Sequence, residues 1–358
     1  KLVTSLLSTN SPNEYFSSIP KIMEWVRGEV IGNGCFSTVN LATTSSSGRI
    51  AVKSTDFAGA SFLKHEKEVL DEVGAHENVI RCLGDEVTND GERTYNLLLE
   101  YAPGGTVADR VRKSGKLSEE EVRVFAKQVL RGLAHVHKRG FAHLDIKPDN
   151  LLLSETGEVK IADFGLAKRF ESRESSNRAE IRGTPMYMSP ESVNDNDYGP
   201  ACDVWAVGCS VVEMATGRPA WTGNKINNMA ALLIRIGVGD EVPTVPEDMS
   251  EEGKDFLRIC FLKDPRMRWT AEMLLDHPFL RGVDEEVLGC GCDVVSVTPR
   301  CVFDFPEEWS GSCDRSSGGF DSPVGPVDFA AAKERVRRLA GDGRRCGWMD
   351  TGSWVKVR

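Results

Sequence analysis

His143-Leu144-Asp145-Ile146-Lys147-Pro148-Asp149-Asn150, followed after a short apolar stretch by Asp163-Phe164-Gly165, decides how this chain is read. The segment joins a helical pattern to the hydrophobic run Leu151-Leu152-Leu153, so it stands at an element boundary where side chains can converge. Asp145 can accept a proton from an attacking hydroxyl, and Asn150 can ligate magnesium. Lys147 can neutralise charge on a phosphate in transfer, while Asp163 supplies a second metal ligand as a carboxylate. Asp and Asn also cap turns without doing chemistry. Turn capping does not account for four such groups at mutually compatible offsets.

Upstream, from Trp25 to Ala102, the signals are those of strands. WVRGEVIGNG, STVNLATT and RIAVKST are rich in β-branched residues and separated by Gly or Ser. IRCLGDEVT and RTYNLLLEYA flank Asn89-Asp90-Gly91, a hairpin turn that tolerates positive φ. Between these runs, 61–74 has helical spacing with Phe62, Val69 and Val73 on or near one face. The expectation is a small lobe over 25–102 with five antiparallel strands and one helix. After Pro103-Gly104-Gly105 the pattern turns helical, giving a larger, mainly α lobe over 103–281. Ser118 and Glu121 form a capping box opening a helix that carries Val122, Phe125, Val129, Leu133 and Val136 and ends near Gly140. Further helices are expected at 202–216, 226–236, 251–262 and 270–276. The fold class is α+β with two lobes.

Ile31-Gly32-Asn33-Gly34-Cys35-Phe36-Ser37-Thr38-Val39 is a glycine-rich turn between two strands. Glycines let the backbone approach a triphosphate and offer amide donors to it. It precedes a strand and not a helix, which disfavours a dinucleotide fold. A plain hairpin would carry the same residues, and Ser37 stands where a third glycine is usual. On the next strand, Ala51-Val52-Lys53 presents a lysine that can hold the α- and β-phosphates, braced by a carboxylate from the following helix. Glu66 is the expected partner, with Glu68 as the alternative.

The chain has 358 residues, 40% hydrophobic and 27% charged, which is ordinary for a soluble protein and long enough for two lobes with extensions. No apolar run approaches the ~20 residues needed to cross a bilayer, and the apolar stretch at the N-terminus is too short for a signal peptide. A formal charge of −10 argues against nucleic acid and anionic membranes as partners. The ten cysteines do not form a disulfide framework. Cys35, Cys82, Cys202, Cys209 and Cys260 sit in apolar patterns, so reduced thiols in the cytoplasm or nucleus are expected. The spacing of Cys290 and Cys292, with Cys301 and Cys313 beyond, does not match a zinc knuckle. Residues 1–24 read as a disordered leader, with Met23 the expected natural start. Residues 282–358 read as a Gly-, Ser- and Pro-containing flexible tail able to bind regulators, with one short helical pattern at 329–341.

With these motifs in place, the chain over 25–281 resembles a eukaryotic protein kinase. The resemblance implies ATP with Mg2+, or Mn2+ in its place, as the phosphoryl donor system. It makes Asp145, Lys147, Lys53 and Glu66 the catalytic set, and Asn150 and Asp163 the metal ligands. Ile31, Gly32, Asn33, Gly34, Cys35, Phe36, Ser37, Val39, Ala51, Lys53 and Leu152 would line the nucleotide site, together with the gatekeeper Leu99 and the hinge residues Glu100 and Ala102. Gly183-Thr184-Pro185-Met186-Tyr187-Met188-Ser189-Pro190-Glu191 resembles the end of an activation segment. Lys147 and Thr184 match the Ser/Thr-specific pattern. Asp203 resembles the residue that braces the catalytic loop, and Arg268 the partner of Glu191. HENVIRCLG, LLLEYAPGGTVADRV and TAEMLLDHPFL are similar to the MAP kinase kinase kinases, and MEWVRGEVIGNGCFSTVNLA and TPRCVFDFPEEW to the plant members. The implied substrate is the activation-loop Ser/Thr of a MAP kinase kinase.

The chain departs from the family pattern at Ser37, at Ser189, which stands where Ala is commoner, and above all at Leu144, in place of the Arg usual before the catalytic Asp. An apolar side chain cannot pair with a phosphate on the activation loop. Weak dependence on loop phosphorylation is therefore expected, although Ser172, Ser175 and Ser176 are available acceptors. The alternative reading is a catalytically weak kinase-fold scaffold or adaptor. Loss of Lys53, Asp145, Asn150 or Asp163 would favour it, and all four are present.

Overall fold

A computed structural model describes residues 24–34, 37–170, 182–221 and 229–282. The leader with Met23, the serines at 172, 175 and 176, and residues 283–358 with their cysteines lie outside the described residues.

Alternating side chains over 25–100 build a five-stranded antiparallel sheet of order β1-β2-β3-β5-β4. Its strands are β1 (Trp25–Asn33), β2 (Thr38–Thr44), β3 (Arg49–Asp56), β4 (Cys82–Asp90) and β5 (Glu92–Glu100). Helix α1 (Ala60–Val73) connects β3 to β4 and buries Leu63, Glu66, Val69, Leu70 and Val73. Phe62 does not belong to that face, being 51% exposed. Its angle fits the period, but it stands in the first turn, where Leu63 is the residue that enters the core.

The larger lobe begins with α2 (Val107–Ser114) and α3 (Glu119–Lys138). The Ser118 capping box is present, and the expected stripe of α3 is buried throughout. Helix α2 carries its own capping box, Thr106 with Asp109, a sequence signal passed over because the helix is short and largely polar. Two small ribbons frame the catalytic segment. Strand β6 (Phe141–Ala142) pairs with β9 (Lys168–Arg169), and β7 (Leu151–Leu153) with β8 (Val159–Ile161). Helices α4 (Pro190–Asn194), α5 (Pro200–Thr216), α6 (Met229–Gly237), α7 (Glu251–Cys260) and α8 (Ala271–Leu275) complete the lobe.

Helix α5 is apolar on nearly all sides and every residue from Cys202 to Val212 is buried, as expected of a helix running through a core. Beside it lies an ion pair. Arg268 bonds Glu191 through Nη1 at 2.6 Å and Nη2 at 3.2 Å. The same guanidinium donates to the carbonyls of Ala201 and Leu262, so its donors are spent on acceptors that are themselves shielded. This joins the end of the 183–191 segment to the body of the lobe. Arg268→Met strands the Glu191 carboxylate in a buried site and should cost about 3–5 kcal/mol in denaturant unfolding. Adding Glu191→Gln should recover part of that loss. A single-variant cost below about 1 kcal/mol would contradict the account.

Candidate active site

The catalytic segment is anchored from beneath. Asp203, fully buried in the first turn of α5, accepts the backbone N–H of His143 at 2.8 Å and that of Leu144 at 2.7 Å. His137 of α3 contacts the same carboxylate at 2.8 Å. These bonds hold Leu144 at φ 67°, a region a branched side chain rarely enters. Gly183 is required opposite: at φ 100°, a Cβ there would stand 2.6 Å from the Leu144 carbonyl oxygen. His143 Nδ1 accepts the Asp145 N–H at 3.2 Å, and Nε2 bonds the Ala162 carbonyl at 3.1 Å. The ring therefore links the segment to the residue preceding Asp163.

Asp145 emerges from this bend buried, with both carboxylate oxygens engaged. Oδ1 accepts the Thr184 N–H at 3.0 Å and the Thr184 hydroxyl at 2.7 Å. Oδ2 accepts Asn150 Nδ2 at 2.8 Å and stands 2.9 Å from Lys147 Nζ. Lys147 also donates to Thr184 Oγ1 at 2.7 Å. Burial alone would lower the pKa of Lys147, but Asp145, by charge and hydrogen bond, raises it, so the ammonium stays charged. Asp145, Lys147, Asn150 and Thr184 thus form one small polar cluster. Thr184 entered the sequence reading only as a specificity marker, and nothing in the spacing from 145 to 184 announces the contact.

A second constellation crosses between the lobes. Lys53 on β3 lies 2.7 Å from Glu66 Oε2 and 2.8 Å from Asp163 Oδ1. The alternative partner, Glu68, is exposed on the far side of α1. Glu66 Oε1 also accepts the Phe164 N–H at 3.3 Å, and Phe164 is buried in the main core edge-on to His143. Two carboxylates share one ammonium. Burial pushes Asp163 up, but Lys53, by charge and hydrogen bond, overrides this and holds it at about 2. For Glu66 burial is the larger effect and its carboxyl is raised, despite Lys53. Burial lowers Lys53, and Asp163 and Glu66 together raise it.

The residues expected to hold a divalent metal suit the task. Asn150 donates through Nδ2 to both the backbone and side-chain oxygens of Asp145, which fixes its amide and directs Oδ1 away from that carboxylate. Asp163 is ionised and its side chain is 46% exposed, so an oxygen is accessible. Hard oxygen donors of this kind favour a hard cation such as magnesium.

The structure places the described nucleotide residues at the end of β1, on β2, β3 and β5 and at the hinge. Ile31, Gly32 and Asn33 end β1, and the Gly34 N–H closes the turn on the Ser37 carbonyl at 2.7 Å. Cys35 and Phe36 lie outside the described residues. Val39 pairs with Lys53, and Ala51 with Leu99, which brings these four residues into one patch. Leu152 on β7 packs against the same core from below. Glu100 differs from a free hinge residue: its N–H bonds the Arg81 carbonyl, and its carboxylate takes the Arg81 N–H and Lys160 Nζ. It can offer a base at most its carbonyl. Ala102 follows directly in the hinge.

Glu66→Gln removes the charge opposite Lys53 while keeping the shape. ATP affinity measured by calorimetry should fall about 10- to 100-fold, the range for a charged hydrogen bond. Unchanged affinity would show that the Lys53–Glu66 bond does not position the ammonium.

Comparison with known proteins agrees with this geometry. Residues 25–280 match the family model described as the protein kinase domain. Mitogen-activated protein kinase kinase kinase 20 of Arabidopsis thaliana is 50% identical over 354 residues, covering 94% of this chain and all of the relative. Mitogen-activated protein kinase kinase kinase 18 of the same plant is 40% identical, covering 79% of this chain and 84% of the relative. Mitogen-activated protein kinase kinase kinase A of Dictyostelium discoideum is 35% identical over 74% of this chain. The chain belongs to the protein kinase family and, within it, to the serine/threonine kinases of the MAP kinase kinase kinase branch.

Proposed function

We propose that this protein transfers the γ-phosphate of ATP, held with Mg2+ or a substituting Mn2+, to Ser/Thr of a MAP kinase kinase. The observation that carries the reading is the Asp145 cluster, where lysine, amide and Thr184 hydroxyl each stand within 3.0 Å of the Asp145 carboxylate. A substrate hydroxyl entering the cluster takes the place of the Thr184 hydroxyl on Asp145 Oδ1 and is aligned for attack. Lys147 neutralises charge on the phosphoryl group as it moves. Lys53, braced by Glu66, orients the α- and β-phosphates, and Ile31 to Gly34 with Ser37 to Val39 cover them. Asn150 and Asp163 would hold the metal, which would supply positive charge against that of the phosphates. The names of the Arabidopsis relatives support the choice of substrate, and Thr184 beside Lys147 supports Ser/Thr over Tyr.

Incubation with labelled ATP and a panel of MAP kinase kinases should label at least one of them. Asp145→Asn should lower the rate by about 10²–10⁴, and Asp163→Ala should abolish metal-dependent transfer. Transfer that survives Asp163→Ala unchanged would falsify the assignment. We further propose that the protein works in the cytoplasm or nucleus, where the buried thiols of Cys202, Cys209 and Cys260 stay reduced.

Activity should depend little on loop phosphorylation. Leu144 is 8% exposed and packs with Ala142, Tyr198 and Cys202, and Phe170 closes the cluster. At position 144 itself a phosphate would find an apolar side chain in place of a cation. Phosphatase-treated and untreated protein should therefore differ by less than about tenfold in rate, and a loss of about a hundredfold would overturn the claim.

A further inference from the structure

The outer face of the five-stranded sheet, turned away from Lys53, carries a polar network that the chemistry above does not use. Its centre is Arg27 on β1. Nη1 donates to Asn40 Oδ1 on β2 at 2.9 Å and to Ser54 Oγ on β3 at 2.9 Å. Nη2 donates to Asn96 Oδ1 on β5 at 2.8 Å. The three acceptors are buried, Asn96 completely. Ser54 Oγ also donates to Asn96 Oδ1 at 2.7 Å, and Asn96 Nδ2 reaches the carbonyls of Glu86 and Thr94 and the Thr88 hydroxyl. The Trp25 ring lies 5.2 Å from the guanidinium and is itself tied to Glu86 on β4. One cation thereby links four strands of the sheet, β1, β2, β3 and β5.

The network coincides with an irregularity. Strand β1 slips register against β2 between Arg27 and Val30 and again between Val30 and Gly32, immediately before the glycine-rich turn. A bulge leaves backbone groups without ladder partners and sharpens the local twist. Here Asn40 Nδ2 donates to the Gly28 carbonyl at 3.1 Å, taking over the role of a ladder partner. A side chain is excluded at Gly28, since its Cβ would stand 2.8 Å from the Leu41 carbonyl oxygen. Asn40 is thus held by the bulge through its amide nitrogen and by Arg27 through its oxygen. On the other side, Ser54 follows Lys53 directly and Thr38 pairs with Ser54. A cleft of about 550 Å³ is lined by Arg27, Asn40 and Ser54 together with Gly34, Ser37 and Thr38 of the turn.

We infer that Arg27 is a positioning residue for the nucleotide: through Asn40 and Ser54 it fixes the bulged β1–β2 arm, and so the glycine-rich turn, relative to Lys53. The inference rests on the kinase reading above. The turn and Lys53 grip the same triphosphate from two strands, and their separation is set by strand twist. Removing the guanidinium deprives three buried polar groups of a charged donor and frees the bulge to relax. The consequence falls on nucleotide binding and not on the Asp145 cluster, which sits in the other lobe.

The test measures Mg-ADP affinity by calorimetry on the full chain, alongside KM for ATP and kcat with a protein substrate. Arg27→Met should weaken Mg-ADP and raise KM for ATP by about three- to tenfold, with kcat at saturating ATP within about twofold. Arg27→Lys should recover part of the affinity. Asn40→Asp keeps an acceptor for Arg27 but loses the donor to Gly28, so it should weaken nucleotide binding in the same sense and serves if Arg27→Met fails to fold. A lowered Tm with nucleotide affinity unchanged in the folded variants would reduce Arg27 to a structural role and overturn the inference. So would a fall in kcat with KM for ATP unchanged. Mg-ADP binding needs no protein substrate, so failure of the Ser/Thr transfer reading would show separately, as absence of transfer by the unaltered chain.

Discussion

The carboxylate of Asp203 is the point on which the catalytic segment depends. It is the one fully buried acid in a helix that is largely apolar, and burying it is tolerable only because three donors converge on it. Those donors are the backbone of the segment itself and a histidine from α3. The cost of an unpaired buried carboxylate therefore becomes a constraint on loop shape. Leu144 is held in a left-handed conformation it would not adopt alone, and the bend this creates aims Asp145 at Thr184 and Lys147. The buried charge is what gives the loop a single conformation.

From that point the order spreads through few links, each a specific bond. His143 ties the segment to Ala162, hence to the strand leading into Asp163. Phe164 packs on His143 and presents its N–H to Glu66, hence to α1 in the other lobe. Lys53 then bridges Glu66 to Asp163, so the Asp163 carboxylate is reached from both lobes. Lys160 makes a parallel connection behind, from β8 to the hinge at Glu100 and the Glu77 carbonyl. Displacing α1 would break the Glu66 bonds to Lys53 and to the Phe164 backbone together. Assembly of the site is for this reason a property of the lobe arrangement and not of any one element.

Two departures from uniform packing bear on control. On the C-lobe side the position before the catalytic Asp is sealed by an apolar cluster, which removes a place where an added phosphate could act. On the N-lobe side the sheet face turned away from Lys53 combines a small apolar cluster, Ala42, Ile50, Val52 and Leu98, with a polar network organised by one guanidinium. In the first case position 144 offers a phosphate no cation; in the second, hydrogen bonds link four strands beside the apolar cluster.

Much of this was legible in the residues taken in order. Strand alternation, the Ser118 capping box and the period of α3 are local signals, and the five strands, α1 and the long helix followed from them. That Asp145 and Asn150 stand together was legible too, because the spacing within 143–150 is short enough for local geometry to constrain it, whereas Lys53 was marked only by its place on a strand. Phe62 was misjudged because a period specifies angle around a helix but not how deep each turn sits in the core. The choice of Glu66 over Glu68, the Thr184 bonds to Asp145, the engagement of Glu100 by Lys160 and the reach of Arg27 across four strands were decided by tertiary structure. Each joins groups far apart in the chain, and which donor meets which acceptor depends on how strands twist and lobes stack. Those quantities are fixed by packing over the whole molecule and are not written in any one stretch of its sequence.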